Sequence, residues 1–254
     1  MPKVSVVFLY HEPKNEEYIN LALTSLYRQD MGADLETIVV DSSDSSKTYE
    51  SWVTPIYVPH STGSAVAANL GVKATSPESK YVLFCNDDVV FGRDSVRELV
   101  RTMDLIDNEV VMNAYSNTDC GMYYHSPVVI NNKEFPRQFK ITDVTTEDKE
   151  AMMESAPFGR PILLPVPFVC FYATIMQRKT WMDLGGLDEF YESGPDDRDF
   201  CLRAAQKGIP SLINLRPNIW HFGGQTIATK DQKAVAENRV KNAQYFEKKF
   251  GIPQ

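Results

Sequence analysis

The stretch K-Y-V-L-F-C-N-D-D-V-V-F, Lys80 to Phe91, decides how the fold is read. Tyr81 to Cys85 form a short continuous apolar run, which suits a strand buried on both faces, as in a parallel sheet with helices on each side. Asn86, Asp87 and Asp88 then fall at its carboxyl end, the edge of an open α/β sheet where ligands bind. Adjacent carboxylates repel unless a cation or strong donors hold them. Hard oxygen ligands suit Mg²⁺ or Mn²⁺, above all an ion shared with substrate phosphates. A solvated acidic turn is the competing reading.

Working outward, Val4 to Tyr10 reads as a buried first strand followed by the polar turn His11, Glu12, Pro13. Ile19, Ala22, Leu23 and Leu26 recur at helical spacing over 16–29, and Leu35 to Val40 gives a second strand that ends in Asp41 and serines. This strand, helix, strand order opens a right-handed, doubly wound sheet. Ile56 to Val58 makes a short third strand, and the small residues from Ser61 to Ala74 predict a helix able to approach a sheet or a ligand closely. Ser95 and Glu98 form a capping box for a helix over Val96 to Ile106. Residues 113–160 are polar and aperiodic, which reads as a functional segment without regular structure. Beyond it, Val166 to Met176 reads as one buried strand, Ile209 to Leu215 as a last short strand, and Lys233 to Phe250 as an amphipathic helix.

With 254 residues, 43% hydrophobic and 24% charged, the chain can bury a sizeable core without staples. Its net charge of -8 argues against broad electrostatic binding to nucleic acid or anionic membrane. Cys85, Cys120, Cys170 and Cys201 are widely spaced, which points to free thiols in a reducing compartment. Neither a secretory leader nor a transmembrane segment is expected, and the expectation is a soluble cytoplasmic protein. A single domain over 1–254 is expected, with 1–112 and 113–232 as its two halves and 233–254 as a C-terminal helix. No G-x-G-x-x-G follows the first strand, which argues against a dinucleotide oxidoreductase.

Acidic residues recur at strand or turn ends: Asp41, Asp87-Asp88 and Asp196-Asp197. If the sheet brings these ends to one edge, the carboxylates share a crevice. In order, the segments V-S-V-V-F-L-Y-H, V-V-D-S-S-D-S-S, S-T-G-S-A-V-A-A-N-L-G, N-D-D, L-G-G-L-D-E-F and G-P-D-D-R-D-F-C-L-R resemble the motifs of family-2 glycosyltransferases. The resemblance covers nearly the whole chain, although Ser61 replaces the usual Asn and Asp196 the usual Glu. It implies an α/β GT-A fold with a mixed, mainly parallel sheet flanked by helices. It also implies an inverting, metal-dependent enzyme using a nucleotide-diphosphate sugar, with Mn²⁺ or Mg²⁺ as cofactor.

Carried over position by position, Tyr10, His11, Glu12, Asp41, Gly63, Asn69, Asp87 and Thr226 would bind the donor, Asp41 by accepting from uracil. Asp88 and His221 would hold the metal, and Asp197, beside Asp196, would be the general base. The acceptor is expected to be a glycan, with a protein side chain or a modified DNA base as alternatives. Tyr115, Tyr123, Tyr124, His125, Phe135 and Arg137 would form its wall. Competing readings stand beside each residue: a helix-dipole role for Asp196 and Asp197, a core histidine for His221, and turn or packing roles for Asp41 and the small residues. A non-catalytic nucleotide- or glycan-binding module and a nucleotidyltransferase are the competing functions.

Overall fold

The computed structural model describes residues 3–11, 16–29, 31–45, 47–118, 128–157, 160, 162–192, 194–224 and 231–253. Strands β1 (Val4–Tyr10), β2 (Leu35–Asp41), β3 (Val53–Tyr57) and β4 (Tyr81–Asn86) form a parallel block in the order β3-β2-β1-β4. Val4, Val6, Val7 and Phe8 of β1 are all fully buried, as a continuous apolar run in the middle of a two-sided sheet requires. Helices α1 (Glu16–Tyr27) and α2 (Ser64–Ala74) connect these strands. A Cβ on Gly71 of α2 would lie 2.4 Å from Val7 Cγ1 and 2.8 Å from Val40 Cγ2. The small residues of this helix therefore let it press onto β1 and β2.

The second half extends the sheet with mixed polarity. In chain order it contains β5 (Val89–Phe91), α3 (Ser95–Leu105), β6 (Val111–Ser116), the hairpin β7 (Val128–Ile130) and β8 (Lys133–Phe135), and α4 (Thr146–Glu154). Then follow β9 (Leu163–Val166), β10 (Ala173–Gln177), α5 (Arg178–Leu184), α6 (Asp196–Gln206), β11 (Ser211–His221) and α7 (Gln232–Phe250). The sheet continues from β4 through β10, β6 and β11 to β5. Strand β10 is antiparallel to both neighbours, while β6 and β11 run parallel. No helix among the described residues is long and apolar enough to cross a membrane.

Four sequence expectations change. Val166 to Met176 is not one strand. Pro165 and Pro167 lack ladder donors, so β9 pairs with β11 and a loop separates it from β10, which lies between β4 and β6. The strand expected to end at Leu215 runs on to His221 through a register shift between Asn214 and Ile219, where Pro217 sits. Residues 113–160 hold regular structure, including α4, whose Thr145–Asp148 capping box closes its first turn. Its aperiodicity reflects short elements around a second apolar cluster that contains Tyr18, Phe135, Phe139, Met152 and Phe222. The Ser95–Glu98 capping box does not form: the Ser95 hydroxyl donates to the Asn218 carbonyl at 2.7 Å, and Glu98 pairs with Arg216 at 2.7 Å.

The close approach of α2 gives a direct check. Replacing Gly71 by Ala forces its new methyl against Val7 and Val40 and should cost roughly 1–3 kcal/mol, read as a lower urea midpoint with unchanged m-value.

Candidate active site

The carboxyl ends of β1, β2 and β4 lie side by side, with Tyr10 opposite Asp41 and Leu9 opposite Asn86. Against this edge lies a cleft of about 540 Å³, lined among others by His11, Ser42, His60, Gly63, Asp87 and Asp88. Glu189, Tyr191 and Glu192 close its far side, and Gly224 borders it as well.

Strand β5 determines what Asp88 faces. Val89 pairs with His221, Val90 with Trp220 and Phe91 with Ile219, and the Phe222 amide donates to the Asp88 carbonyl at 3.0 Å. This ladder sets Asp88 Oδ1 3.1 Å from His221 Nε2, with both side chains largely buried. The same Oδ1 receives no hydrogen bond. His221 is itself held on every side. Its Nδ1 bonds Thr118 Oγ1 at 2.7 Å, its ring stacks on Tyr172 at 4.7 Å, and Asn86 Nδ2 lies 3.4 Å from Nε2. The Asn117 side chain clamps its backbone, accepting from the His221 amide at 2.8 Å and donating to its carbonyl at 3.1 Å. Among the described residues no third His, Cys, Asp or Glu joins the pair.

Asp196 and Asp197 open α6 on the flank of the cleft and are not part of its lining. Burial pushes both carboxyls up; Asp196, beside the Asp197 charge, reaches about 7. Their partners differ. The backbone amides at the start of α6 oppose that rise at Asp196. Asp197 accepts from the Arg198 amide at 2.6 Å, and also from the Phe171 amide and the Cys170 thiol. The neighbouring Tyr172 carries the stack on His221, and its carbonyl accepts from the Asn86 amide at 3.0 Å. Asp197 thus belongs to the same edge as the Asp88–His221 pair.

Three residues expected at the donor lie outside the lining of the cleft. Tyr10 is fully buried, and burial pushes its hydroxyl up to about 12, so it is a core residue under the cleft. Asp41 is only 2% exposed, and its carboxylate accepts from the Ser43 amide and hydroxyl at 2.9 and 2.6 Å and from the Tyr49 hydroxyl at 2.8 Å. It builds the turn that presents Ser42. Asn69 bonds Leu187 in both directions at 2.9 Å and pins the Gly185-Gly186 turn, where a Cβ on Gly186 would lie 2.2 Å from Asn69 Oδ1. His11, Gly63, Asp87 and Asp88 do face the cleft. Glu12 and Thr226 lie outside the described residues, as do Tyr123, Tyr124 and His125.

Sequence reading missed His60, Asn117 and Thr118. His60 stacks on His11 at 4.2 Å with planes 9° apart, and its Nδ1 donates to the Ser42 carbonyl at 2.9 Å. A lone histidine before Ser61-Thr62-Gly63 was its only signal. Asn117 and Thr118 had none, since their partner His221 is more than a hundred positions away.

A parallel block with clustered carboxylates at its carboxyl edge, followed by a mixed extension carrying an Asp–His pair, defines the GT-A class of nucleotide-sugar folds. The chain belongs to glycosyl transferase family 2, whose family model matches residues 5–160. Among solved structures it resembles GalNAc-T7 with UDP, GalNAc and Mn²⁺ (TM-score 0.63, 13% identity), covering 87% of this chain and 44% of that one. It also resembles S. aureus TarS 1-349 in complex with UDP-GlcNAc (TM-score 0.59, 15% identity), covering 90% of this chain and 61% of that one. The chain thus spans about half the length of those proteins. No curated protein sequence matches it.

Asp196 has a pH signature. Its folded carboxyl binds a proton more tightly than the unfolded one, so it favours the native state at low pH, and that contribution fades between about pH 4 and about 7. Asp196→Asn should therefore raise Tm relative to wild type at pH 8 and lose that advantage at pH 4, measured by thermal melts across the range. Asn69→Ala should lower stability by about 1–3 kcal/mol, because the Leu187 amide and carbonyl lose their partner.

Proposed function

We propose that the protein is an inverting, metal-dependent glycosyltransferase that moves a sugar from a uridine-diphosphate sugar to a hydroxyl of a glycan acceptor. One observation carries this reading: the buried Asp88 Oδ1, without a donor, 3.1 Å from His221 Nε2 at the carboxyl edge of β4. In the tautomer whose Nδ1–H donates to Thr118, Nε2 presents a lone pair to a carboxylate oxygen, an arrangement that calls for a cation.

The charge of the cleft supports the same reading. Its described lining carries Asp87, Asp88, Glu189 and Glu192 and no lysine or arginine. A diphosphate entering it would meet net repulsion unless a divalent ion came with it. Bound by Asp88 and His221, Mn²⁺ or Mg²⁺ would act as a Lewis acid on the departing diphosphate.

The chain's own residues carry the remainder. His11, His60 and Ser42 offer a flat ring pair and a hydroxyl to the nucleoside end. The uridine assignment draws support from the UDP-containing relatives rather than from Asp41, whose carboxylate is engaged internally. Asp197, fixed by backbone donors and raised by burial, would take the acceptor proton as the acceptor oxygen bonds the anomeric carbon. The bond to the diphosphate oxygen breaks on the opposite face, its electron pair leaves with the nucleotide, and the centre inverts. Asp196, turned to its helix terminus, would position α6.

A thermal-shift panel of nucleotide diphosphates and their sugars, with Mn²⁺, Mg²⁺ or chelator, tests donor and metal together. A metal-dependent rise with a uridine nucleotide sugar is expected, and it should be lost in Asp88→Ala. Asp197→Asn should keep that rise and lose roughly 10²–10⁴-fold in transfer rate. Transfer at the wild-type rate in this variant would remove Asp197 from the role of base.

A further inference from the structure

A second pocket lies outside the donor cleft, between α1 and the segment that joins β2 to β3. Its volume is about 600 Å³, and it is lined by Tyr27, Tyr49 and Trp52 together with Asn20, Thr24, Lys47 and neighbouring residues. Tyr27 is 68% exposed, and its ring centroid lies 5.4 Å from that of the half-buried Trp52, with planes tilted by 41°. The aromatic row continues from Tyr49 to Tyr57, 6.5 Å away and 58% exposed, at the edge strand of the sheet. Large aromatic side chains left in water at one place are the unusual observation, since isolated exposed apolar groups are common and a row of rings is not.

We propose that this pocket is a binding site for a neutral oligosaccharide, separate from the donor cleft. The lining chemistry selects that class. Pyranose rings present faces of weakly positive C–H groups, which pack on the negative faces of aromatic rings, while their edges carry hydroxyls that need donors and acceptors. Thr24, Thr48 and Ser51 supply uncharged hydrogen-bonding groups on the rim. The one lysine of the lining is already engaged: Lys47 Nζ lies 3.2 Å from Glu16 and donates to Asn20 Oδ1 at 2.7 Å. With that charge paired and Glu50 also in the lining, nothing there favours an anionic polymer. The choice of a saccharide, rather than another neutral ligand, rests on the proposed glycosyltransferase reading, under which the occupant would be acceptor or product chain.

The pocket also shares its wall with the donor cleft. Tyr49, on its floor, donates to Asp41 at 2.8 Å, and Asp41 in turn holds the Ser43 amide beside the cleft residue Ser42. The segment 41–53 therefore touches both sites.

Intrinsic tryptophan fluorescence tests the site without any turnover, because Trp52 is the one of the three indoles that lines this pocket, whereas Trp181 is buried in the core and Trp220 donates its indole N–H to the Met152 carbonyl. The probes are maltohexaose, cellohexaose and chitohexaose, with heparin as the anionic control. At least one hexasaccharide should give a saturable change below about 10 mM, and Tyr27→Ala should weaken it by about tenfold. The same signal should persist in Asp88→Ala, whose donor response is lost, so failure of the donor reading and failure of this site are separately visible. Tyr27→Ala should leave the metal-dependent nucleotide-sugar shift unchanged. The proposal is overturned if no hexasaccharide changes the signal, if the change is equal in Tyr27→Ala, or if heparin binds as well as the neutral chains.

Discussion

The pairing of Val89–Phe91 with Ile219–His221 is the constraint on which the rest of the site depends. It is a backbone ladder of only a few residues, yet it joins a segment directly after the first four strands to one near the end of the chain. Because the register sets His221 opposite Val89, the carboxylate one residue earlier must meet the imidazole. No attraction between the two side chains is needed to hold them there. The Asn117 clamp and the Tyr172 stack then remove the freedom of the ring, so the pair is fixed before any ligand arrives. Such preorganisation costs no reordering when charge later develops.

Electrostatics at this edge run against the stability of the isolated protein. Carboxylates from the turn after β4 and from the loop before α6 line the cleft, and at the start of α6 burial raises Asp196 and Asp197 towards their neutral forms. An unsatisfied buried oxygen on Asp88 adds to that cost. A fold chosen for stability alone would place apolar or paired groups there. The tension is relieved where a cation and a polar substrate can enter, which is why strain of this kind concentrates at functional edges.

Packing elsewhere supports the site at a distance. Gly71 lets α2 lie against β1 and β2, which brings its first turn to the cleft. Asn69, on the same helix, ties down the Gly185-Gly186 turn that precedes the cleft-lining glutamates. From the other end of the chain, α7 grips this region. Lys249 lies 2.6 Å from Asp188, and the Tyr245 ring stacks on Phe190 at 3.8 Å. The loop that carries Glu189 and Glu192 is therefore held from two sides.

The sequence by itself determined the parallel half of the fold. Runs such as Val6 to Tyr10 and Tyr81 to Cys85 are apolar throughout, and only a strand covered on both faces buries them. Their polar ends located the functional edge, because a local pattern suffices to say where a strand stops. Asp88 was legible from the acidic run at a strand end and His221 only through resemblance; Asn117 and Thr118 were not legible at all, since a partner a hundred residues away leaves no local period. Tertiary structure alone decided which side chains of that edge face the cleft. Tyr10 points into the core because its place in the β1 pleat does, Asp41 satisfies itself on Ser43 and Tyr49, and Asn69 clamps a turn. The direction of a side chain at a strand or helix end depends on register and on neighbours from elsewhere in the chain, and these exist only once the sheet has assembled.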